Sequence, residues 1–414
     1  MRVDAERPWG RHRRAAVFWT ATGLIALDTI LFTMVVPALP EFAERDGFSN
    51  AVAALIFAAF PVGQLVTAVI AASLVERVGR RPLMIVAPVA LSAATLAFAV
   101  ATGPAALAGA RLAQGAAAGL VWTAGLAAIS DVYPADQLGF RIGLAETAGG
   151  AVGLAGPLVG GAMIHAVGTT ATFALAAILP ALAVVPTLLV PETRTTSGEP
   201  PALFPALRRV AALPRARAAI ISLAGLAAVL ALMEPLLPLD LDQRLGLSPF
   251  AIGLVFSAGL LAYFASVPPA GRWSDRRGRR LPTIVGGLLV AGALPFTAVG
   301  PAWSVALAFA VVGAGLAGLG ASSGALMVEA VDEAGMAGRY GLSSALLTIV
   351  FSMGYAVGPL FGAAASATLP FVATTTLAGL GTLALVAWIG RILPGDDART
   401  AALAHGPEGG EARR

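Results

Sequence analysis

The chain has 414 residues, 57% of them hydrophobic and only 12% charged, with a formal net charge of +4 and no cysteine. A soluble domain carries about 25% charged residues, so a chain of this composition cannot cover a water-facing surface, and its surplus apolar area must face lipid. Disulfides and thiolate metal sites are excluded. Every basic residue is Arg, and these residues sit in short stretches between apolar runs, which marks membrane topology rather than nucleic-acid binding.

Twelve apolar runs are long enough to cross a bilayer, at about 20 residues each. They are expected at 15–39, 51–75, 82–101, 104–129, 141–164 and 170–190, then at 217–239, 249–271, 282–299, 302–328, 340–364 and 370–392. The first run is too long for a cleavable signal and lacks a cleavage site. Gly103-Pro104 and Gly300-Pro301 punctuate tight hairpins. One set of intervening segments holds nearly all the arginines, among them Arg11, Arg13, Arg14, Arg77, Arg80, Arg81, Arg141, Arg194, Arg339 and Arg391. The opposite set holds only Arg45 and Arg244. This asymmetry predicts an inner-membrane protein with both termini cytoplasmic. The polar segment 191–216 reads as a cytoplasmic linker between an N-terminal bundle, 1–190, and a C-terminal bundle, 217–392. Residues 393–414 read as a disordered cytoplasmic tail.

The halves repeat. Glu76-Arg77-Val78-Gly79-Arg80-Arg81 recurs as Asp275-Arg276-Arg277-Gly278-Arg279-Arg280, an offset of 275 − 76 = 199, with Gly271 opening the second copy. Pro37–Pro40 matches Pro235–Pro238, Arg141-Ile142-Gly143 matches Arg339-Tyr340-Gly341, and Asp131 falls on Glu329, all at offset 198. Gly156-Pro157 matches Gly358-Pro359 at offset 202. Four landmarks in register define an internal duplication. Parallel repeats about an axis along the membrane normal build two-bundle transporters, with the substrate held between the bundles near the midplane.

With these motifs the chain resembles the major facilitator superfamily, in particular its drug:proton antiporters with twelve helices. Arg111-Leu112-Ala113-Gln114-Gly115 is similar to that family's Arg-x-x-Gln-Gly signature. Gly149, Gly153, Gly156, Pro157, Gly160 and Gly161 resemble its antiporter motif. The stretches 27–40, 232–238 and 353–359 look like those of the vesicular monoamine transporters and their bacterial multidrug relatives. The resemblance implies an all-α membrane protein of twelve helices in two pseudo-symmetric six-helix bundles. It departs at three places: Thr348 and Ala321 stand where the monoamine transporters carry further carboxylates, and the second helix has no Lys. Amine specificity therefore does not carry over.

Asp28 lies mid-way along the first apolar run and Glu234 deep in the seventh, followed at once by Pro235. A carboxylate at such depth costs roughly 2.5–3.5 kcal/mol to insert and marks a proton or ion site by default. The plainer alternatives are an Asp bonded to backbone and a Glu reaching the outer interface. Arg111, among small residues of the fourth run, needs a partner, and Asp28 is the expected one. The resemblance links this Arg to proton transfer. A purely structural ion pair is the alternative. Gln114 and Gln64 are further cavity candidates. Trp122, Tyr263, Phe351 and Tyr355 could stack on a cationic or planar substrate, and for each a core or lipid-facing role is the alternative.

In the duplicated loops, Arg80 is expected to pair with Asp131 and Arg279 with Glu329, as latches on the cytoplasmic side. Glu76 and Asp275 would face a helix N-terminus. Topology signalling alone is the competing reading. The glycine stripe from Gly149 to Gly161 allows close helix approach, and the resemblance implies a seal against leakage.

The expected function is proton-coupled antiport that exports lipophilic, cationic or amine-bearing small molecules by alternating access. Export of a neutral or anionic metabolite, such as a sugar, amino acid or antibiotic, is the alternative. A non-transporting membrane sensor is a third. No catalytic triad, metal cluster or phosphate loop is present in a proper context, so the chain reads as no enzyme, without cofactor or metal. Its expected partners are protons, a small-molecule substrate and the lipid bilayer. It is expected to bind no nucleic acid and to act as a monomer.

Overall fold

The computed structural model describes residues 9–194, 208–336 and 340–393, with side chains described for all of these except 72, 73, 135, 136, 139 and 340–345. The expectations for Arg339, for the surroundings of Gly341, for the centre of the linker and for the tail lie outside the described residues. The described chain is all helical. Twelve helices are long and apolar enough to cross a membrane: α1 (Arg11–Asp46), α2 (Asn50–Ala71), α3 (Arg80–Val100), α4 (Gly103–Val132), α5 (Phe140–Val167), α6 (Thr169–Leu189), α7 (Pro214–Leu245), α8 (Pro249–Arg277), α9 (Arg280–Ala298), α10 (Ala302–Glu333), α11 (Leu346–Ser366) and α12 (Phe371–Ile392). The protein is a multi-pass membrane protein.

Local chemistry places the helix ends, and it does so twice. Ser49 and Ser248, 199 residues apart, each accept a hydrogen bond from the backbone N–H three residues on, capping α2 and α8. The helix of α2 runs on to Val78 and that of α8 to Arg277. Gly79 and Gly278 then turn the chain at φ 103° and 83°, a left-handed region in which glycine avoids the Cβ clash of other residues. At the opposite end, Arg45 donates to the Ala101 carbonyl and Arg244 to the Gly300 carbonyl, each at 2.7 Å. Both pairs are separated by 56 residues and lie 199 apart. The only two arginines expected on that face thus tie the ends of α1 and α7 to the α3–α4 and α9–α10 turns.

The two halves meet through α2 against α11 and α5 against α8. Their cores join at one end and part at the other. The largest apolar cluster mixes both halves, running from Leu31, Phe57 and Phe98 to Leu232, Phe256 and Val312. At the end bearing the duplicated loops there are two separate clusters. One holds only residues between Val17 and Val190, and the other only residues between Val210 and Leu393. Apolar burial, worth about 25 cal/mol per Å², therefore joins the halves at the far end and stabilises each half by itself at the loop end.

α5 bends at Leu154, where its helix breaks between Gly153 and Ala155. Pro157 has no N–H to give to the Gly153 carbonyl, four residues earlier. Thr33 of α1 supplies the missing donor, its hydroxyl reaching that carbonyl at 3.0 Å.

Candidate functional site

Asp28 is buried on α1, and the indole N–H of Trp122 on α4 donates to it at 3.0 Å. Its second oxygen, Oδ1, is buried without a hydrogen bond. One turn further along α1, Phe32 separates this carboxylate from Arg111. Arg111 is fully buried, with its guanidinium carbon 5.1 Å from the Phe32 ring centroid, 5.2 Å from Phe57 and 4.7 Å from Phe60. Stacking of this kind suits a planar, weakly hydrated cation. One guanidinium nitrogen donates to Gln114 at 3.1 Å, and Gln114 donates onward to Thr95 at 3.2 Å. Nε and the second terminal nitrogen have no hydrogen-bond partner.

The expected Asp28–Arg111 pair does not form. Arg111 and Trp122 are 11 residues apart, about 16 Å along α4 at 1.5 Å per residue. Trp122 meets Asp28 at its own depth, while Arg111 lies about three turns nearer the joined end.

Glu234 is buried on α7, and the Tyr355 hydroxyl on α11 donates to it. The Tyr355 ring lies 5.7 Å from Phe32 and 5.1 Å from Phe351. Arg111, Phe32, Tyr355 and Glu234 therefore form one continuous row from the first half to the second. Gln64 and Tyr263 stay outside it. Both are half-buried, and neither makes a side-chain hydrogen bond among the described residues. Tyr263 packs edge-on to Phe264 at 5.1 Å, and Phe264 in turn abuts Gly150. Glu146 is exposed on α5.

The glycine stripe is split between two neighbours. A Cβ on Gly149, Gly153, Gly156 or Gly160 would run into Ile25, Thr29, Thr33 or Met34 of α1. One on Gly161 would overlap the Pro249 carbonyl of α8, and one on Gly253 of α8 would overlap the Pro157 carbonyl. The stripe thus closes α5 against its own half and against the other half at once.

In the first loop, Arg80 pairs with Glu76 at 2.8 Å and with Asp131 at 2.7 Å, its side chain 6% exposed. In the second, Arg279 pairs with Asp275 at 2.5 Å and with Glu329 at 3.3 Å, and is 16% exposed. Each pair closes within its own half. Arg77 contributes its carbonyl, which accepts from Arg194 at 2.9 Å. Arg276 is exposed, and Gly271 has open space where a Cβ would stand.

Two groups of residues escape the sequence reading. Phe32, Phe57 and Phe60 are one, since apolar residues in apolar helices carry no contrast. Glu192 and Thr193 are the other. Glu192 accepts from the backbone N–H groups of Arg80, Arg81, Thr193 and Arg194 at 2.9–3.1 Å, and the Thr193 hydroxyl donates to Asp131 at 3.1 Å. The available signal was Pro191-Glu192-Thr193-Arg194 immediately after the sixth apolar run.

Twelve duplicated helices with buried charges along their junction define the class of membrane transporters rather than enzymes. The chain is 26% identical to the MFS-type transporter ppzB of Metarhizium majus, over 81% of this chain and 90% of that one. It is 26% identical to the synaptic vesicular amine transporter of Mus musculus, over 85% of this chain and 68% of that one. Its fold superposes with a TM-score of 0.72 on a bacterial homologue of the human lysosomal transporter Spinster, at 15% identity, covering 93% of this chain and 97% of that one. The Major Facilitator Superfamily model matches residues 21–239 and 218–408, and the chain belongs to that superfamily.

Proposed function

We propose that the protein is a proton-coupled antiporter exporting lipophilic, cationic or amine-bearing small molecules from the cell across its plasma membrane. The observation that carries this reading is the pair of buried carboxylates. Asp28 in the first half and Glu234 in the second each receive a hydrogen bond from an aromatic donor, with no basic side chain within ion-pair distance among the described residues. Such groups can take up and release protons as substrate and water come and go. The surrounding rings of Trp122, Phe351 and Tyr355 suit a cation or a flat amine. Likeness to a vesicular amine transporter points the same way.

In this reading the 1–190 bundle rocks against the 217–392 bundle about the site, as a monomer with both termini in the cytoplasm. With the arginine loops cytoplasmic, the parted cores at the loop end make this the cytoplasm-facing state. The loop pairs, each formed within its own half, then keep the end of each bundle in shape as the two bundles rock.

The test is proton movement in proteoliposomes. A pH gradient is imposed and a pH-sensitive dye followed while lipophilic amines and cations are added, for the native chain and for Asp28→Asn and Glu234→Gln. Compound-dependent proton release, lost in either variant, is expected. Undiminished exchange with both carboxylates neutralised would sink the proposal. A second reading, export of a neutral or anionic metabolite, draws on the two unsatisfied nitrogens of Arg111, which could meet a carbonyl or carboxylate. Cations compete with transport only under the first reading.

A further inference from the structure

A second region of interest lies at the loop end, away from Asp28, Arg111 and Glu234. There a groove of about 410 Å³ is lined by His12, Arg13 and Ala16 of α1, Arg81 of α3, and the chain from Leu188 to Pro191. Among the described residues, no carboxylate lies within ion-pair distance of His12, Arg13 or Arg81. The nearby Glu192 is turned into the loop, where four backbone N–H groups engage it. Arg81 is held in place by donating to the Leu188 carbonyl at 2.8 Å.

The other half shows what this wall lacks. Arg280, at offset 199 from Arg81, donates in the same way to the Gly390 carbonyl at 2.7 Å. At the start of α7, however, Arg215 is paired with Glu333 at 2.8 Å and faces Glu329 at 4.0 Å. The duplication kept the backbone grip, while Arg215 at the start of α7 has carboxylate partners that Arg13 at the start of α1 lacks among the described residues.

The groove's other wall is apolar and open to the outside. Leu188 is 48% exposed and Leu189 80%, and Trp19, one turn below Ala16, is 64% exposed. Tryptophan at the end of a membrane helix sits at headgroup level. The groove is therefore amphipathic at the depth where hydrocarbon meets phosphate. A free anion would use only its cationic half. Basic pockets between membrane helices are suited to anionic lipid headgroups.

We propose that this groove is a binding site for an anionic phospholipid, its phosphate held by His12, Arg13 and Arg81 and an acyl chain lying along Leu188 and Leu189. The test titrates the purified full chain in detergent with short-chain phosphatidylglycerol, phosphatidylcholine and inorganic phosphate, reading lipid retention and thermal unfolding together. Saturable phosphatidylglycerol binding is expected, at least tenfold tighter than phosphatidylcholine. Arg13→Gln should weaken it about fivefold, the scale of one basic residue at an anionic surface. Arg13→Lys should retain it, which separates lost charge from lost folding. Arg11→Gln, on the same turn but outside the groove, should leave it within twofold. Equal binding of the two lipids, an equal loss in Arg11→Gln, or displacement by phosphate at equal concentration would overturn the proposal.

Discussion

The two copies of the arginine loop share a backbone and differ in what holds them. Both turn on a glycine at positive φ, both place an acidic residue four positions before the arginine, and both reach a carboxylate on the fourth helix of their half. The first copy is fastened further. Glu192 closes over the start of α3, and the Thr193 hydroxyl adds a hydrogen bond to the Asp131 carboxylate beside Arg80. In the second copy Glu329 is shared between Arg279 and Arg215, and exposure is higher: 16% and 24% for Arg279 and Glu329, against 6% and 10% for Arg80 and Asp131. Duplication preserved the geometry that the backbone dictates. The partners, supplied by segments outside the repeat, diverged. The first loop is built as a rigid corner and the second as a looser one.

The largest test of this difference is removal of the arginine itself. Arg80→Ala leaves Asp131 buried without its counter-charge, a change that costs about 3–5 kcal/mol at a buried pair. Arg279→Ala breaks a more exposed pair and should cost about 1 kcal/mol. Thermal unfolding of the two variants in one detergent compares them directly, and equal losses would refute the asymmetry. Next in size is Glu192→Ala, which frees the first N–H groups of α3. A lost helix cap costs about 1–2 kcal/mol, and hydrogen exchange at Arg80 and Arg81 should rise while exchange at Arg280 does not.

How much of this could be read beforehand follows the same division. The twelve spans, the duplicated loop and the pairing partners Asp131 and Glu329 rest on composition and register, which a sequence displays. Glu192 acts on backbone N–H groups, and no side-chain pattern announces those. The sequence suggests Asp28 as the partner of Arg111, because both are charges in apolar helices and the resemblance places helices one and four along one cavity. Depth along α4 decided otherwise, giving Asp28 to Trp122 and Arg111 to a cage of three phenylalanines. Cross-helix depth depends on tilt and on the α1–α4 contact, and helical periodicity within one segment does not encode it. A proline such as Pro157 is a visible cause of the bend at Leu154, whereas no pattern announces the Thr33 hydroxyl that satisfies the freed carbonyl.

The smallest expected effect concerns the end where the halves join. Asn50 and Gln243 exchange hydrogen bonds across the halves at 3.4 and 3.0 Å, at an exposed position above the shared core. The pair forms only while that end is closed, so it favours the present arrangement over one in which the far end opens. An exposed amide pair contributes about 0.5 kcal/mol, so Asn50→Ala should change the ratio of the two arrangements only about twofold. That is small against the shared apolar core, which remains the main closure. It is nevertheless measurable, because the chain has no cysteine of its own. Single cysteines placed near the joined end and near the parted end report opening by their rates of alkylation. Asn50→Ala should raise the first rate and lower the second. Both rates unchanged would mean that the amide pair merely decorates a contact set by the apolar core. Both rates raised would indicate loosening of the fold rather than a shift between states.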